Sequence, residues 1–126
     1  MCIRDSSRYR AVSDIMVGAS RSEGLGHAFL SGMALRLPVV STQVGGIADY
    51  VFDKDRNPEK DPTGFAVDPD SPEQIAKQVR YILDNPEEVK QVVENAHKMV
   101  MTEYNWDTIA VAMQERVFNK AFNLKK

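Results

Sequence analysis

Ser20-Arg21-Ser22-Glu23-Gly24-Leu25-Gly26-His27-Ala28-Phe29-Leu30-Ser31 is the stretch on which the reading of this 126-residue chain turns. The apolar run Ile15-Met16-Val17 precedes it, and an amphipathic segment follows at once. That order predicts a strand, a glycine-rich turn and a helix N-terminus. Such a turn leaves backbone N–H groups facing outward at the positive end of a helix dipole, where a phosphate can sit. The carboxylate of Glu23 would repel phosphate, so hydroxyl groups suit it better. Phosphate beside hydroxyls points to a nucleotide-sugar.

Working outward, residues 14–19 read as a buried parallel strand. Residues 26–36 read as a short helix with Phe29, Leu30, Met33 and Ala34 on its apolar side. Gly32 inside it costs about 1 kcal/mol against alanine, which suits a helix lying close to a sheet. Pro38 ends the segment, and residues 39–42 give a second strand. Val44-Gly45-Gly46-Ile47 is another glycine turn, with a short helical piece over residues 48–52. Residues 53–63 are polar, contain Pro58 and Pro62, and read as an exposed loop. Residues 64–67 form a third strand.

Ser71-Pro72-Glu73-Gln74 predicts a helix start with Ser71 as N-cap, proline in the first turn and Gln74 three residues after the cap. Ile75, Val79, Ile82 and Leu83 then share a face. Asn85-Pro86-Glu87-Glu88 repeats the signal, and Val89, Val92, Val93, Ala96 and Val100 continue an apolar stripe. Tyr104 to Asp107 break the pattern and open a last helix with Ile109, Ala110, Met113 and Val117 inward. Tyr104 and Trp106 read as packing anchors. Strands alternating with helices argue an α/β fold with a parallel sheet. Ligands of such sheets bind beyond the carboxyl ends of the strands, so both glycine turns fall on one edge.

The bulk properties narrow the function. The chain is 43% hydrophobic and 27% charged, which suits one domain with a real core. A formal net charge of -2 leaves no electrostatic case for nucleic acid as a partner. The single cysteine, Cys2, excludes an internal disulfide or a cysteine-based metal cluster and reads as incidental. Two isolated histidines do not make a metal site. His27 reads as a surface residue beside the turn, and His97 as solvent-facing on its helix. Residues 1–8 have no clear period and read as a non-native or disordered start. A reducing, cytoplasmic setting fits this composition.

In order along the chain come Ser20-x-x-Glu23-Gly24-Leu25-Gly26, Met33-Ala34-x-x-Leu37-Pro38-Val39-Val40, Thr42-x-Val44-Gly45-Gly46-Ile47, Thr63-Gly64-Phe65, Asp70-x-Pro72-Glu73 and Tyr104-x-Trp106. From about residue 9 to residue 122 this series resembles the C-terminal, donor-binding domain of retaining GT-B fold glycosyltransferases of the family 4 type. The resemblance implies a Rossmann-like parallel sheet with flanking helices. It makes residues 9–126 a partial donor-binding domain, with the N-terminal acceptor domain and the first strands of the donor domain absent. It implies transfer of a sugar from a UDP- or GDP-sugar to a saccharide, lipid or small-molecule acceptor with retention. Such an enzyme is cytoplasmic, or peripheral at the inner face of the membrane, and a fragment of it would be inactive alone. No cofactor is implied. The reaction is expected to be metal-independent, because helix N-terminal amides can stabilise the leaving diphosphate and the chain is read as showing no Asp-x-Asp metal signature.

By the same resemblance Glu23 is the catalytic-site acid that contacts the transferred sugar. Ser22, Glu23, Gly24, Leu25 and Gly26 hold the sugar and diphosphate, and Gly45 and Gly46 form a second ligand loop. Family members place a second glutamate on the ribose hydroxyls, at the position of Ser31 here. Serine is shorter and neutral, and no other acid lies between Gly24 and Ala48 to replace it. The family's basic phosphate pair is absent too; Arg21 and Arg36 are the nearest basic residues, and neither matches it. Three alternatives follow. One is a nucleotide-sugar binding module without catalysis. The second is a nicotinamide-dependent dehydrogenase, for which Gly24 and Gly26 supply two of three expected glycines and Asp49 the only acid. The third is a GT-B sugar-nucleotide epimerase.

Overall fold

Three short strands form the sheet, each followed by a turn and a helix or loop that carries the chain back. Residues 39–42 and 65–67 are buried throughout. Residues 16–18 are not, which corrects the buried strand expected there. The computed structural model describes residues 6–122. Helix α1 (Ser6–Ala11) precedes β1 (Met16–Gly18), α2 (His27–Ala34), β2 (Val39–Thr42), a 3-10 turn (Gly45–Asp49) and β3 (Phe65–Val67). Then come α3 (Pro72–Asp84), α4 (Pro86–Glu103), α5 (Trp106–Met113), a π-helical turn (Gln114–Phe118) and α6 (Asn119–Ala121). The strands pair in parallel in the order β1-β2-β3, with Met16 opposite Val39 and Val40 opposite Phe65. This is the α/β parallel sheet that the strand–helix alternation predicts, in the Rossmann-like form that the family resemblance implies.

The two faces of the sheet follow the period-2 geometry of β2. Val39 joins Phe29, Leu30, Met33, Ile47, Tyr50, Val51, Ala96 and Val100 on one face, with Met16 of β1 packed against them. Val40 joins Phe65, Val67, Ile82, Val89 and Val92 on the other, beneath Ile75 and Val79 of α3. Helix α4 serves both: Val89 and Val92 enter the second cluster, Ala96 and Val100 the first. Met33, Val39 and Val40 are at most 1% exposed, and burying each such side chain stabilises the fold by about 1.5–3 kcal/mol. Gly32 has a packing reason, since a Cβ there would meet Met16 Sδ at 2.6 Å.

The two edges of the sheet differ. On β3 the Ala66 amide donates to Asp53 Oδ2 at 2.9 Å, and Gln78 Nε2 reaches the Ala66 carbonyl at 3.5 Å. Side chains thus occupy the outward backbone groups of β3. On β1 the outward residue is Val17, 46% exposed, with no strand beyond it among the described residues.

Several local expectations are corrected. Residues 6–8 belong to α1, a single turn and a half too short for its period to be read. Residues 1–5, and with them Cys2, lie outside the described residues. The second glycine turn is itself helical, because the 3-10 turn begins at Gly45. Ser71 caps nothing with its side chain. Gln74 instead turns back to Asp68, accepting from its amide at 2.9 Å and donating to Oδ2 at 2.8 Å. Leu83 is exposed, at the end of α3 beyond the sheet. The last helix buries none of its side chains: Met113 and Val117 face solvent, and Trp106 is 75% exposed. Helix α5 touches α4, and only its Ile109 and Ala112 are partly covered.

Candidate functional site

All three strands release the chain at the same end of the sheet, and there the first two turns meet. The loop after β1 carries Ser22 to Gly26, and the loop after β2 carries Gly45 and Gly46. The Gly46 amide donates to the Gly24 carbonyl at 2.8 Å. Gly45 has φ +54, and a Cβ on it would overlap the Glu23 carbonyl oxygen. A Cβ on Gly46 would overlap the Gly24 carbonyl oxygen. Glycine is therefore required at both positions for backbone to lie against backbone. Thr42 at the end of β2 adds a second tie, donating from Oγ1 to the Ser20 carbonyl at 2.6 Å.

Helix α2 starts from Gly26 in the left-handed conformation, φ 69 and ψ 47, with no side-chain cap. Helix N-termini leave their first amides without intrahelical partners, so this end offers uncapped donors beside Glu23. Glu23 is half-buried, and its Oε1 accepts from the Gly24 amide at 3.2 Å. The Leu25 side chain is exposed, as is Ser22. The arrangement can hold an anion on amides and present a carboxylate to hydroxyl groups alongside.

Ser31 sits one turn into α2, and its Oγ donates to the His27 carbonyl at 2.9 Å. Its hydroxyl proton is used inside the helix. Arg21 lies at this edge, and its Nη2 pairs with Asp70 Oδ1 at 2.7 Å, linking the loops after β1 and β3. Arg36 is not near the turn: it follows the opposite end of α2, about 12 Å away along the helix, and pairs with Glu94 at 2.9 Å. His27 is exposed as expected. His97 is not; its Nδ1 lies 3.0 Å from the Ala34 carbonyl and ties α4 to the end of α2.

Two residues of the site escaped the sequence reading. Thr42 appeared as a strand residue and at the head of one landmark of the resemblance, with no role at the site. Tyr50 appeared only within a helical piece, yet it is 0% exposed and its hydroxyl donates to the Leu25 carbonyl at 2.7 Å and the Gly26 carbonyl at 3.0 Å. Burial, then the charge of Glu23 and the nearby Tyr104, pushes the Tyr50 phenol well above its ordinary range. The available signal was a phenol flanked by the apolar pair Ile47 and Val51, since a buried tyrosine hydroxyl needs a partner. Tyr104 packs edge-on against Tyr50 at 5.8 Å between ring centroids, as an anchor should.

The chain holds two Asp-x-Asp triplets, which corrects the expectation that it shows none. In Asp53-Lys54-Asp55 both Asp53 oxygens are engaged, one by the Ala66 amide and one by the Asp55 amide at 2.9 Å. In Asp68-Pro69-Asp70 the carboxylates pair with Arg56 and Arg21. No cluster of three histidine, cysteine or carboxylate side chains suited to a metal occurs among the described residues. A cavity of about 480 Å³ opens elsewhere, lined by Lys54, Phe65, Tyr81 and Glu88 beyond β3, and does not include the glycine turns.

A parallel sheet of this order with paired turns at its carboxyl edge defines an α/β domain of the GT-B glycosyltransferase type. The sequence model described as "Glycosyl transferases group 1" matches residues 5–99, and the chain belongs to that family. It is 27% identical over 115 residues to the sulfoquinovosyl transferase of Arabidopsis thaliana, covering 91% of this chain and 22% of that protein. Among solved structures, the C-terminal domain of a glycosyl transferase group 1 protein from Francisella tularensis is 28% identical with a TM-score of 0.67. That match covers 78% of this chain and 47% of the other. A sucrose-phosphate synthase from Thermosynechococcus elongatus is 27% identical with a TM-score of 0.77, over 91% of this chain and 27% of that one. The chain thus spans less than half the length of each of these relatives.

Proposed function

We propose that the chain is the donor-binding part of a retaining glycosyltransferase that takes its sugar from a UDP- or GDP-sugar. The observation that carries this reading is the contact of the two glycine turns beside Glu23 at the uncapped start of α2. The diphosphate would lie against the two glycine turns on the amides of Leu25, Gly26 and Gly45, since the Gly46 amide is spent on the Gly24 carbonyl and the Gly24 amide on Glu23, and Glu23 would contact the transferred sugar. Fixed amide dipoles aimed at the leaving group stabilise the charge that grows on it as the glycosidic bond breaks. Names of relatives support the class: they include a sulfoquinovosyl transferase and a sucrose-phosphate synthase.

The acceptor and the domain that chooses it belong, in this reading, to the remainder of a longer protein. The short coverage of the relatives supports that, as does the open edge of β1, where preceding strands would pair. The chain alone would then bind donor without turning over. A cytoplasmic location fits, with contact at the inner membrane face in the longer enzyme; no helix among the described residues is long and apolar enough to cross a membrane.

One observation favours a second reading, a nucleotide-sugar binder without catalysis. Ser31 spends its hydroxyl on His27 and offers no acid to a ribose. The two readings separate on Glu23→Gln in the longer protein. A fall in turnover of about a hundredfold or more, with UDP or GDP still bound in calorimetry, is expected for the enzyme. Binding without any sugar transfer by the unaltered protein would establish the second reading.

A further inference from the structure

Tyr50 does more at this site than fill the core. Its hydroxyl has one proton and meets two carbonyls in succession, Leu25 at 2.7 Å and Gly26 at 3.0 Å. A trans peptide unit is planar, with its C=O and N–H pointing in opposite directions. The Leu25 carbonyl shares its peptide plane with the Gly26 amide, and the Gly26 carbonyl with the His27 amide. The phenol holds the Leu25 carbonyl, and it shares the Gly26 carbonyl with the Phe29 amide at 2.9 Å, so the Gly26 and His27 amides are turned the other way, away from the phenol. Gly26 in the left-handed region followed by helical His27 gives the concave pair of amides that binds anions.

The fit is mutual. A Cβ on Gly26 would stand 2.5 Å from the Tyr50 hydroxyl, so the phenol occupies the space that glycine leaves. Tyr50 is held in turn by Ile47 and Val51 in the same cluster and by the edge contact with Tyr104. It lies just past the second glycine turn, at the end of the 3-10 segment. The loop after β2 therefore grips the loop after β1 twice, through Gly46 from one side and through Tyr50 from beneath.

We propose that Tyr50 is a positioning residue for the donor diphosphate, its hydroxyl fixing the outward aim of the Gly26 and His27 amides. This rests on the reading of the turn as a diphosphate site. Tyr50 touches no ligand itself; it acts through the two carbonyls.

Tyr50→Phe in the full-length protein keeps the ring and removes the donor. Calorimetry with UDP, GDP and inorganic pyrophosphate is expected to show affinity falling about tenfold, since the Leu25 carbonyl loses its partner, the Gly26 carbonyl keeps only the Phe29 amide, and the turn can relax. Donor KM should rise while acceptor KM stays unchanged. Val100→Ala, which loosens the same cluster from α4 without touching the turn or the Tyr50 ring contact, should lower the melting temperature and leave UDP affinity intact. Gly26→Ala, whose Cβ would displace the phenol, should reproduce the loss. If Tyr50→Phe binds UDP like the unaltered protein, or if Val100→Ala weakens UDP equally, Tyr50 is only a core residue. Should the unaltered protein bind no nucleotide, the proposed function falls, and the amide NMR resonances of Gly26 and His27 still decide this point. Shifts confined to those two amides in ligand-free Tyr50→Phe uphold the role, and unmoved resonances overturn it.

Discussion

The Gly46 amide and the Gly24 carbonyl, 2.8 Å apart, join two loops that leave different strands into one backbone surface. Nothing larger than glycine fits between them. Gly45→Ala places a Cβ on the Glu23 carbonyl at a φ of +54, where alanine is strained as well as crowded. The expected cost exceeds about 2 kcal/mol. Urea unfolding of the variant checks it, and a loss under about 0.5 kcal/mol would mean that the loops separate easily.

Ser31 tests the nucleotide end of the same surface. Its hydroxyl serves a helix carbonyl that already has backbone partners, so Ser31→Ala should change stability by less than about 0.5 kcal/mol. Ser31→Glu restores the acid that the family resemblance expects on the ribose. Hydrogen bonds to charged groups contribute about 1.5–3 kcal/mol, so UDP or GDP binding by the longer protein should tighten about tenfold or more. Unchanged affinity would take position 31 out of the nucleotide site.

Legibility in the sequence tracked how local each cause is. Val39 to Thr42 could be read to the residue, because proline bounds the run and every side chain in it is buried. The glycine turn after β1 could be read because its residues are consecutive. The last helix shows the limit of periodicity: Ile109, Met113 and Val117 do share a stripe, but a stripe names a face, not what covers it. Ser71 and Gln74 had the right spacing for a cap, and Gln74 found Asp68 instead. Tyr50 and His97 bond to backbone carbonyls far away in the chain, and no local pattern announces such a pairing.

His97 and Trp106 reverse the importance that their residue types suggest. His97→Ala removes the contact with the Ala34 carbonyl between α4 and α2, and should cost about 1 kcal/mol. Trp106→Ala in this chain should cost less than about 0.5 kcal/mol, because the indole stands three-quarters exposed. Thermal unfolding of the two variants side by side gives the order. A larger loss for Trp106→Ala would mean that the last helix is covered in solution.

Alkaline pH tests the buried phenol. Burial first, then the Glu23 charge, then Tyr104, raises the folded-state pKa of Tyr50 above its ordinary 10.0. In the unfolded chain the phenol ionises near that ordinary value, so above it the unfolded state holds fewer protons than the folded one. Stability is then fully present below about pH 10 and declines as pH rises toward the folded-state value. One such group can contribute a slope of up to about 1.4 kcal/mol per pH unit. Tyr104, also raised by burial first and then by Asp49 and Glu103, adds to the same limb. Tyr50→Phe should therefore be less stable than the unaltered chain at neutral pH and lose stability less steeply above about pH 10. Urea midpoints from about pH 8 to 11 check this, and parallel curves for the two proteins would show that the fold does not depend on a neutral phenol beneath the glycine turn.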